Sequence, residues 1–408
     1  MVLRSTVPPA KTIEKMAAVV VYLGHALDRR TFDLFNWFRK TNPTQVALIQ
    51  TSNAFEQWLY PGAHCINGLG MDKLFDFART QQNLQIVYLP FMEDQIEALY
   101  AAHAQNTLPE NINYLLPHPD DFVRAHDKGL FTAIFSAQKL AVRGYSWAEL
   151  QQEIPHAGVL AKPKIGKGAI GQIFIRNHTD LTKINGYNAY VFQKQLGHTH
   201  EVVGAFFFCT NGIIQAHYQH KRLRTYPKTG GVSVLSVIHH NLEILEKGRA
   251  ILKDLQWSGL AMIEFMQDPE DQQYYAIECN PRLWGTCLLG EFAGFGLIQL
   301  YIHHISNKCL IGEAKPLVQS GWQNNSNSDV GIQATHPEAK ICWPFPYHIS
   351  ALWKRDKNTC YIGISGAGFR AILFISLSLF SLKKWSTLRK KIFRQKIFRQ
   401  KSSISTKH

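Results

Sequence analysis

No C-x-x-C pair occurs in this 408-residue chain, and its seven cysteines are an odd count. That argues against a disulfide framework or a zinc ribbon and favours a reducing, cytoplasmic setting. No run of about 18 uncharged apolar residues is present, which argues against a polytopic membrane protein. H-R-D and D-F-G are both missing, so the protein-kinase signature set is absent. The first apolar run, Ala17–Gly24, is followed by no Gly-x-Gly-x-x-Gly turn, which speaks against dinucleotide binding there. Acidic residues are absent from positions 383–408, where ten cations cluster, so the net charge of +14 leaves only +4 for the rest of the chain. A balance that ordinary does not point to nucleic acid. What the chain does have is 46% hydrophobic residues, enough to bury the cores of two or three domains.

The N-terminal pattern alternates strands with helices. Lys11 and Lys15 precede the apolar run Met16–Gly24, which is short, β-branched and without a small-x-small cleavage site, so a first core strand is expected rather than a signal peptide. A helix over Asp28–Arg39, strands over Thr44–Gln50 and Gln85–Leu89, and a helix over Phe91–His103 complete a parallel α/β unit across residues 15–115. From about 116 the texture becomes antiparallel α+β. A helix is predicted over Asp120–Arg143, then strands over Val159–Pro163, Gln172–Arg176, Tyr187–Gln193, Glu201–Cys209 and Gly212–Gln219, a helix over Leu235–Gln256 and a hairpin over Leu260–Cys279. Gln319–Ser328 reads as a polar linker within an undefined stretch from 311 to 366.

The segment Gly259–Thr286 carries the sharpest chemical signal. Two strand-like runs flank the turn-forming DPEDQQ, and folding about Asp271 sets Glu264 opposite Glu278 and Met262 opposite Asn280. Period-two alternation then puts Glu264, Glu278 and Asn280 on one face. Opposed like charges among apolar neighbours are costly, and a hard divalent cation relieves that cost. Carboxylates without clustered His or thiolate favour Mg²⁺. The alternative is two glutamates on a solvated face.

Further upstream, Ala161–Gly171 reads AKPKIGKGAIG, with Gly166, Gly168 and Gly171 in the G-x-G-x-x-G spacing. A strand precedes it and another follows, so the loop is a hairpin flap able to lie over phosphates, with Lys162 and Lys167 as cations. A plain tight hairpin is the bland reading. The cationic stretch from Lys221 through Arg224 to a double glycine at 230–231 forms a second candidate clamp for phosphate or carboxylate. His217/His220 and His303/His304 lack acid or thiolate partners at ligand spacing and read as packing or surface residues, and Ser233 lacks a nucleophile elbow.

In order, the pieces are Asp127-Lys128, Lys162-Pro163 with its glycine flap, Gln193-x-x-Leu196-Gly197, Arg224-x-x-Pro227-x-x-Gly-Gly, Glu264-Phe265, and Glu278-x-Asn280-Pro-Arg282. That order resembles the ATP-grasp superfamily, in particular the branch containing the ATP-binding domain of carbamoyl phosphate synthetase. The resemblance covers residues 115–305. It implies a mixed α/β and α+β fold class: a pre-ATP-grasp α/β domain at 15–115, then a two-lobed ATP-grasp fold with antiparallel sheets at 116–310. Its flap lobe would be 116–192 and its metal-binding lobe 193–310, with a C-terminal extension beyond. Lys128 and Lys162 would contact ATP phosphates, and Gln193, Gln195 and Leu196 would form the adenine hinge, with Glu201 at the ribose. Glu264, Glu278 and Asn280 would hold Mg²⁺, with Mn²⁺ as the alternative ion. Arg282 would stabilise the transferred phosphoryl group, with Lys221, Arg224 or Arg282 positioning a substrate carboxylate. Lys194 stands where the family often has an acid, and the hinge proline is missing.

The implied activity is ATP-dependent joining of a small-molecule carboxylate to an amine through an acylphosphate, with no nucleic-acid partner. A phosphotransferase sharing the flap and a non-catalytic ATP-binding module are the rivals. Residues 367–408 combine the apolar Ala371–Leu382 with the basic tail and its KIFRQ duplication at 391–395 and 396–400. A core helix, a peripheral anchor at the inner face of a membrane and a marginal span are the readings there.

Overall fold

The computed structural model describes residues 18–166, 170–196, 202–226, 232–311, 335–343 and 357–361, with 370, 371, 374, 375 and 377. The tip of the glycine flap, Glu201, the double glycine, the polar linker and the basic tail lie outside the described residues.

Val20–Gly24 are buried within a strand at Ala18–His25 (β1), as a run flanked on both faces requires. It centres a parallel sheet with Val46–Thr51 (β2), His64–Asn67 (β3), Leu84–Tyr88 (β4) and Ile112–Asn113 (β5), in the order β3-β2-β1-β4-β5. Strand β3 and the helix Met71–Thr80 interpose between two strands that the sequence reading placed in succession. That helix was not among the expected elements, although Leu74, Phe75 and Ala78 repeat at helical spacing, whereas HCIN is too short and mixed to show a period. The helix Arg29–Thr41 starts at Asp28, whose carboxylate accepts from the Arg30 backbone N–H, and it buries Phe32, Leu34, Phe35 and Phe38.

A four-stranded antiparallel sheet follows, with Gly144–Tyr145 (β6), Val159–Pro163 (β7), Ile173–Ile175 (β8) and Tyr190–Lys194 (β9) in the order β6-β9-β7-β8. The helix expected over Asp120–Arg143 is two helices, Pro119–His126 and Lys128–Ala137. Asp127 breaks it. Its backbone ends the first helix, and its carboxylate accepts from the N–H groups of Gly129 (2.7 Å) and Leu130 (3.1 Å) to start the second. Lys128 is therefore the first residue of a helix beside the flap.

The largest sheet contains Val203–Thr210 (β10), Ile213–Tyr226 (β11), Val232–His239 (β12), Gly259–Gln267 (β13), Tyr274–Asn280 (β14), Lys340–Cys342 (β15) and Thr359–Tyr361 (β16), ordered β14-β13-β10-β11-β12-β15-β16. Residues 235–239, expected as the start of a helix, belong to β12, and the helix runs from Leu242 to Asp254. The β-branched Val232, Val234, Val237 and Ile238 favour the strand, and Asn241 caps the helix through the Ile244 N–H. Strands β15 and β16 show that the weakly patterned stretch extends this sheet rather than standing apart.

Strands β13 and β14 pair antiparallel with Met262 opposite Asn280 and Glu264 opposite Glu278, and a bulge between Glu264 and Phe265 then sets Phe265 opposite Ala276. The symmetric count about Asp271 thus holds for the carboxylates and slips by one residue nearer the turn.

The apolar C-terminal stretch contributes to the interior at its described positions: Ala371 and Phe374 are buried, and the Phe374 ring stacks on Phe32 with centroids 4.3 Å apart. Among the described residues no helix is long and apolar enough to cross a membrane.

Glu291 supplies a stability prediction. It sits buried in the helix Leu288–Ala293, accepting the Ile298 N–H at 2.8 Å, and its Oε2 has no hydrogen-bond partner among the described residues. Burial pushes its carboxyl up from an ordinary 4.5 to about 7, against the backbone N–H groups of Ile298 and Gln299. The native state therefore keeps a proton that the unfolded chain releases. The resulting stability is complete below the ordinary carboxyl range and is lost as pH rises through 7. Urea unfolding across this window should show a decline of about 3 kcal/mol, which Glu291→Gln should remove. An unchanged decline in the variant would assign it to other groups.

Candidate active site

The sheet of β6–β9 and the sheet of β10–β16 face each other across a cavity of about 230 Å³. The bent ribbon β13–β14 supplies its floor. Glu264, Glu278 and Asn280 all line it, as alternation along paired strands requires. The Asn280 amide donates to Glu278 Oε1 at 3.2 Å, and the Arg282 guanidinium donates to Asn280 Oδ1 at 3.3 Å.

Two lysines meet this floor from the flap side. Lys128 Nζ lies 3.6 Å from Glu278 Oε2 and donates to the Gly166 carbonyl at 2.8 Å, tying the root of the glycine loop to the carboxylate pair. Lys162, at the end of β7, is buried on the cavity wall. Burial lowers its pKa, while the Glu278 and Glu264 carboxylates oppose that loss and Lys128 adds to it. Of the other flap glycines, Gly171 lies at the return of the loop and Gly168 is outside the described residues.

The two glutamates are electrostatically unlike. Burial, partly offset by Arg222 and reinforced by the opposed Glu278, pushes the Glu264 carboxyl up. Burial also works to raise Glu278, but Lys128, Lys162 and the Asn280 amide outweigh it and hold that carboxyl below its usual range. Arg222 forms an ion pair with Glu264.

These donors fit a magnesium ion shared with phosphate. Two carboxylates and an amide face one space, and the buried Glu264 carboxyl lies opposite a second carboxylate there. Among the described residues no three His, Cys, Asp or Glu side chains gather into a closed metal cage.

The cationic strand departs from expectation. Lys221 and Arg224 are exposed and absent from the cavity wall, whereas Arg222 lies on it. Alternation separates 221 from 222, and register shifts on either side of Arg224 turn that residue off the Arg222 face. The parity of Arg222 with His220 was the available signal. The hinge residues also sit differently. Gln193 is buried behind the wall, its amide donating to Thr132 Oγ1 at 2.8 Å and to the Ile277 carbonyl at 3.1 Å. Leu196 packs behind Val202, Met266 and Ile277, which with Leu160 form the apolar end of the cavity. Gln195 donates its backbone N–H to the Gly158 carbonyl at 3.1 Å and does not line the cavity. Glu201 lies outside the described residues. Lys194 ties the end of β9 to the ribbon's turn through Asp268 at 2.7 Å and Glu270 at 2.5 Å. Gln193→Ala should cost about 1–3 kcal/mol in urea unfolding, because it strands the Ile277 carbonyl and the Thr132 hydroxyl at the junction of the two sheets. A cost near zero would show that these bonds carry no net weight.

Four residues given no role in the site by the motif reading line the cavity or hold a residue that does. Glu93, from the first turn of the helix Glu93–Ala104, accepts from Arg282 Nε at 2.6 Å, and Thr286 Oγ1 lies 3.2 Å from His220 Nδ1. Arg29, from the parallel unit, reaches the same cavity. No local pattern announces such contacts, since each joins segments far apart in the chain.

No protein-family model matches the chain, and no curated protein sequence matches it. Solved structures do. Rhizobium etli pyruvate carboxylase T882A aligns with a TM-score of 0.55 and 16% identity, over 73% of this chain and 29% of that one. The biotin carboxylase domain of Hydrogenobacter thermophilus 2-oxoglutarate carboxylase, solved with MgADP, ADP and bicarbonate, aligns at 0.55 and 15%, over 75% and 72%. Staphylococcus aureus N5-carboxyaminoimidazole synthetase, solved with ADP, aligns at 0.51 and 15%, over 74% and 78%. The chain thus spans under a third of the pyruvate carboxylase and nearly three quarters or more of the other two. At these identities the likeness establishes a shared fold.

Proposed function

From the ATP-grasp fold that this chain adopts, we propose that it is an ATP- and Mg²⁺-dependent ligase joining a carboxylate to an amine through an acylphosphate. One observation carries the reading: two carboxylates face each other across a hairpin, inside a cavity that also holds two lysines from the flap side. The biotin carboxylase domain with MgADP and the synthetase with ADP support the choice of nucleotide.

Lys128 and Lys162 hold the phosphates, with the root of the glycine loop fixed over them by the Lys128–Gly166 bond. Leu160, Val202, Met266 and Ile277 offer an apolar slot suited to a purine. Glu264, Glu278 and Asn280 would hold Mg²⁺, which would supply charge neutralisation at the phosphates. Arg282 is held by Glu93 and the Asn280 carbonyl, so its guanidinium is fixed before any substrate arrives. A carboxylate oxygen attacks the γ-phosphorus and ADP leaves. The amine then displaces phosphate from the acylphosphate, forming the C–N bond and releasing a proton.

The test is ADP release with Mg²⁺ over panels of carboxylates and amines, with hydroxylamine as a trap. A carboxylate that drives ADP release and yields its hydroxamate supports the reading. A phosphorylated product stable to hydroxylamine would instead make the chain a phosphotransferase.

A further inference from the structure

Away from the cavity, the β3 edge of the parallel sheet presents two large rings to solvent. Phe55, in the short helix Ala54–Gln57, and Trp58, just past it, are 48% and 73% exposed. Their rings lie against each other with centroids 6.2 Å apart. Leu69, just past β3, is 50% exposed. Between Lys40 and Asp72 the only Asp, Glu, Lys or Arg is Glu56, and it is buried. Residues 41–71 therefore expose aromatic surface and no charged side chain, the composition of a face that a partner covers.

Cations rim this face. Arg39 and Lys40 stand exposed at the end of the helix Arg29–Thr41. Arg370 donates to the Leu59 carbonyl at 3.3 Å, beside Trp58 in the chain, and lies near enough to Arg39 for the two charges to repel. The acids that follow in sequence are matched: Asp72 lies 4.0 Å from Lys73, and Asp76 3.1 Å from Arg79. Arg370 also fixes where the C-terminal chain passes. Lys383 follows Leu377 by six residues, a span of at most about 21 Å. From there to the end, ten cations are interspersed with Trp385, Ile392, Phe393, Ile397 and Phe398, without one acid.

We propose that this face docks on an anionic lipid surface, with Trp58 and Phe55 entering at headgroup depth while Arg39, Lys40, Arg370 and the cations of 383–408 meet the lipid charges. Amphipathic rings favour that depth, and clustered Lys and Arg are drawn to anionic headgroups. The two signals together give the reversible anchoring that neither gives alone. Ala371 and Phe374 are buried in the body, so at these positions the apolar C-terminal stretch is not what inserts. A second copy meeting this face about a two-fold axis would set cations against cations. Nucleic acid would gain no phosphate contact from 41–71, which carry no Lys or Arg. The docking is independent of the nucleotide chemistry.

The test is co-sedimentation of the full chain with phosphatidylcholine vesicles, with and without 30% phosphatidylserine, at about 0.1 M salt. The wild type should bind the anionic vesicles at least about tenfold more tightly than the neutral ones and be released by 0.5 M salt. Phe55→Ser/Trp58→Ser should weaken binding at least about tenfold, as expected for lost apolar burial, and should melt with the wild type because both rings are exposed. Changing Lys390, Lys391, Arg394, Lys396, Arg399 and Lys401 to Gln should weaken it at least about 100-fold. No binding to anionic vesicles, equal binding to neutral ones, or undiminished binding in the double serine variant would overturn the proposal. A duplex DNA oligonucleotide that displaces the vesicles, and that binds both wild type and serine variant equally, would assign the cations to nucleic acid instead. A dimer in sedimentation that the serine variant loses would assign the face to a second copy.

Discussion

Glu278→Gln is expected to lower Mg²⁺-dependent ADP release by about 10³-fold, roughly 4 kcal/mol of transition-state stabilisation. The substitution keeps the side chain's shape and one oxygen but removes a charge from the metal-facing pair. It has a second consequence that separates the metal role from simple damage. Lys128, 3.6 Å from Glu278, and buried Lys162 lose their internal anion together. Both are then freer to hold phosphate, so ADP binding without Mg²⁺ should be retained or tightened in the variant. Loss of ADP binding with and without the ion would indicate collapse of the cavity. Full turnover would contradict the placement of the metal.

Gly259→Ala should be the most destabilising single-methyl addition, costing more than about 4 kcal/mol and leaving little folded protein at 37 °C. Gly259 opens β13 at φ +95°, where a side chain is strained, and an added Cβ would lie 2.3 Å from the Leu115 carbonyl oxygen. Leu115 cannot yield easily. Its N–H donates to the Tyr301 hydroxyl at 3.2 Å, and that hydroxyl is also within 3.1–3.2 Å of the Tyr88 and Leu115 carbonyls. The clash therefore falls on the joint between the parallel sheet and the ribbon that carries Glu264. Unfolding in urea checks this, and a cost below about 1 kcal/mol would show that the joint adjusts freely.

The chemistry of the ribbon was legible because a hairpin is a local object. A turn of known composition and period-two alternation decide which residues meet, and the one bulge falls just beyond Glu264. The lysines were legible by order along the chain, their meeting by resemblance alone. Residues 235–239 were misread because SVLSVIHH has no clean period, and its strand state depends on pairing with β11. Lys221 and Arg224 were named from a cationic stretch that ends in a double glycine, and the register shifts that turn Arg224 aside leave no mark in composition. Arg29 was out of reach: it lines the cavity pressed against a glycine 256 positions away, a relation that only the folded chain creates.

Calorimetric titration of ADP, with Mg²⁺ and with chelator, into the wild type and the Glu264→Gln/Glu278→Gln double variant tests the central claim most directly. The account predicts that Mg²⁺ tightens ADP by at least about tenfold, 1.4 kcal/mol, in the wild type and has no effect in the double variant. The same gain from Mg²⁺ in both proteins would contradict it.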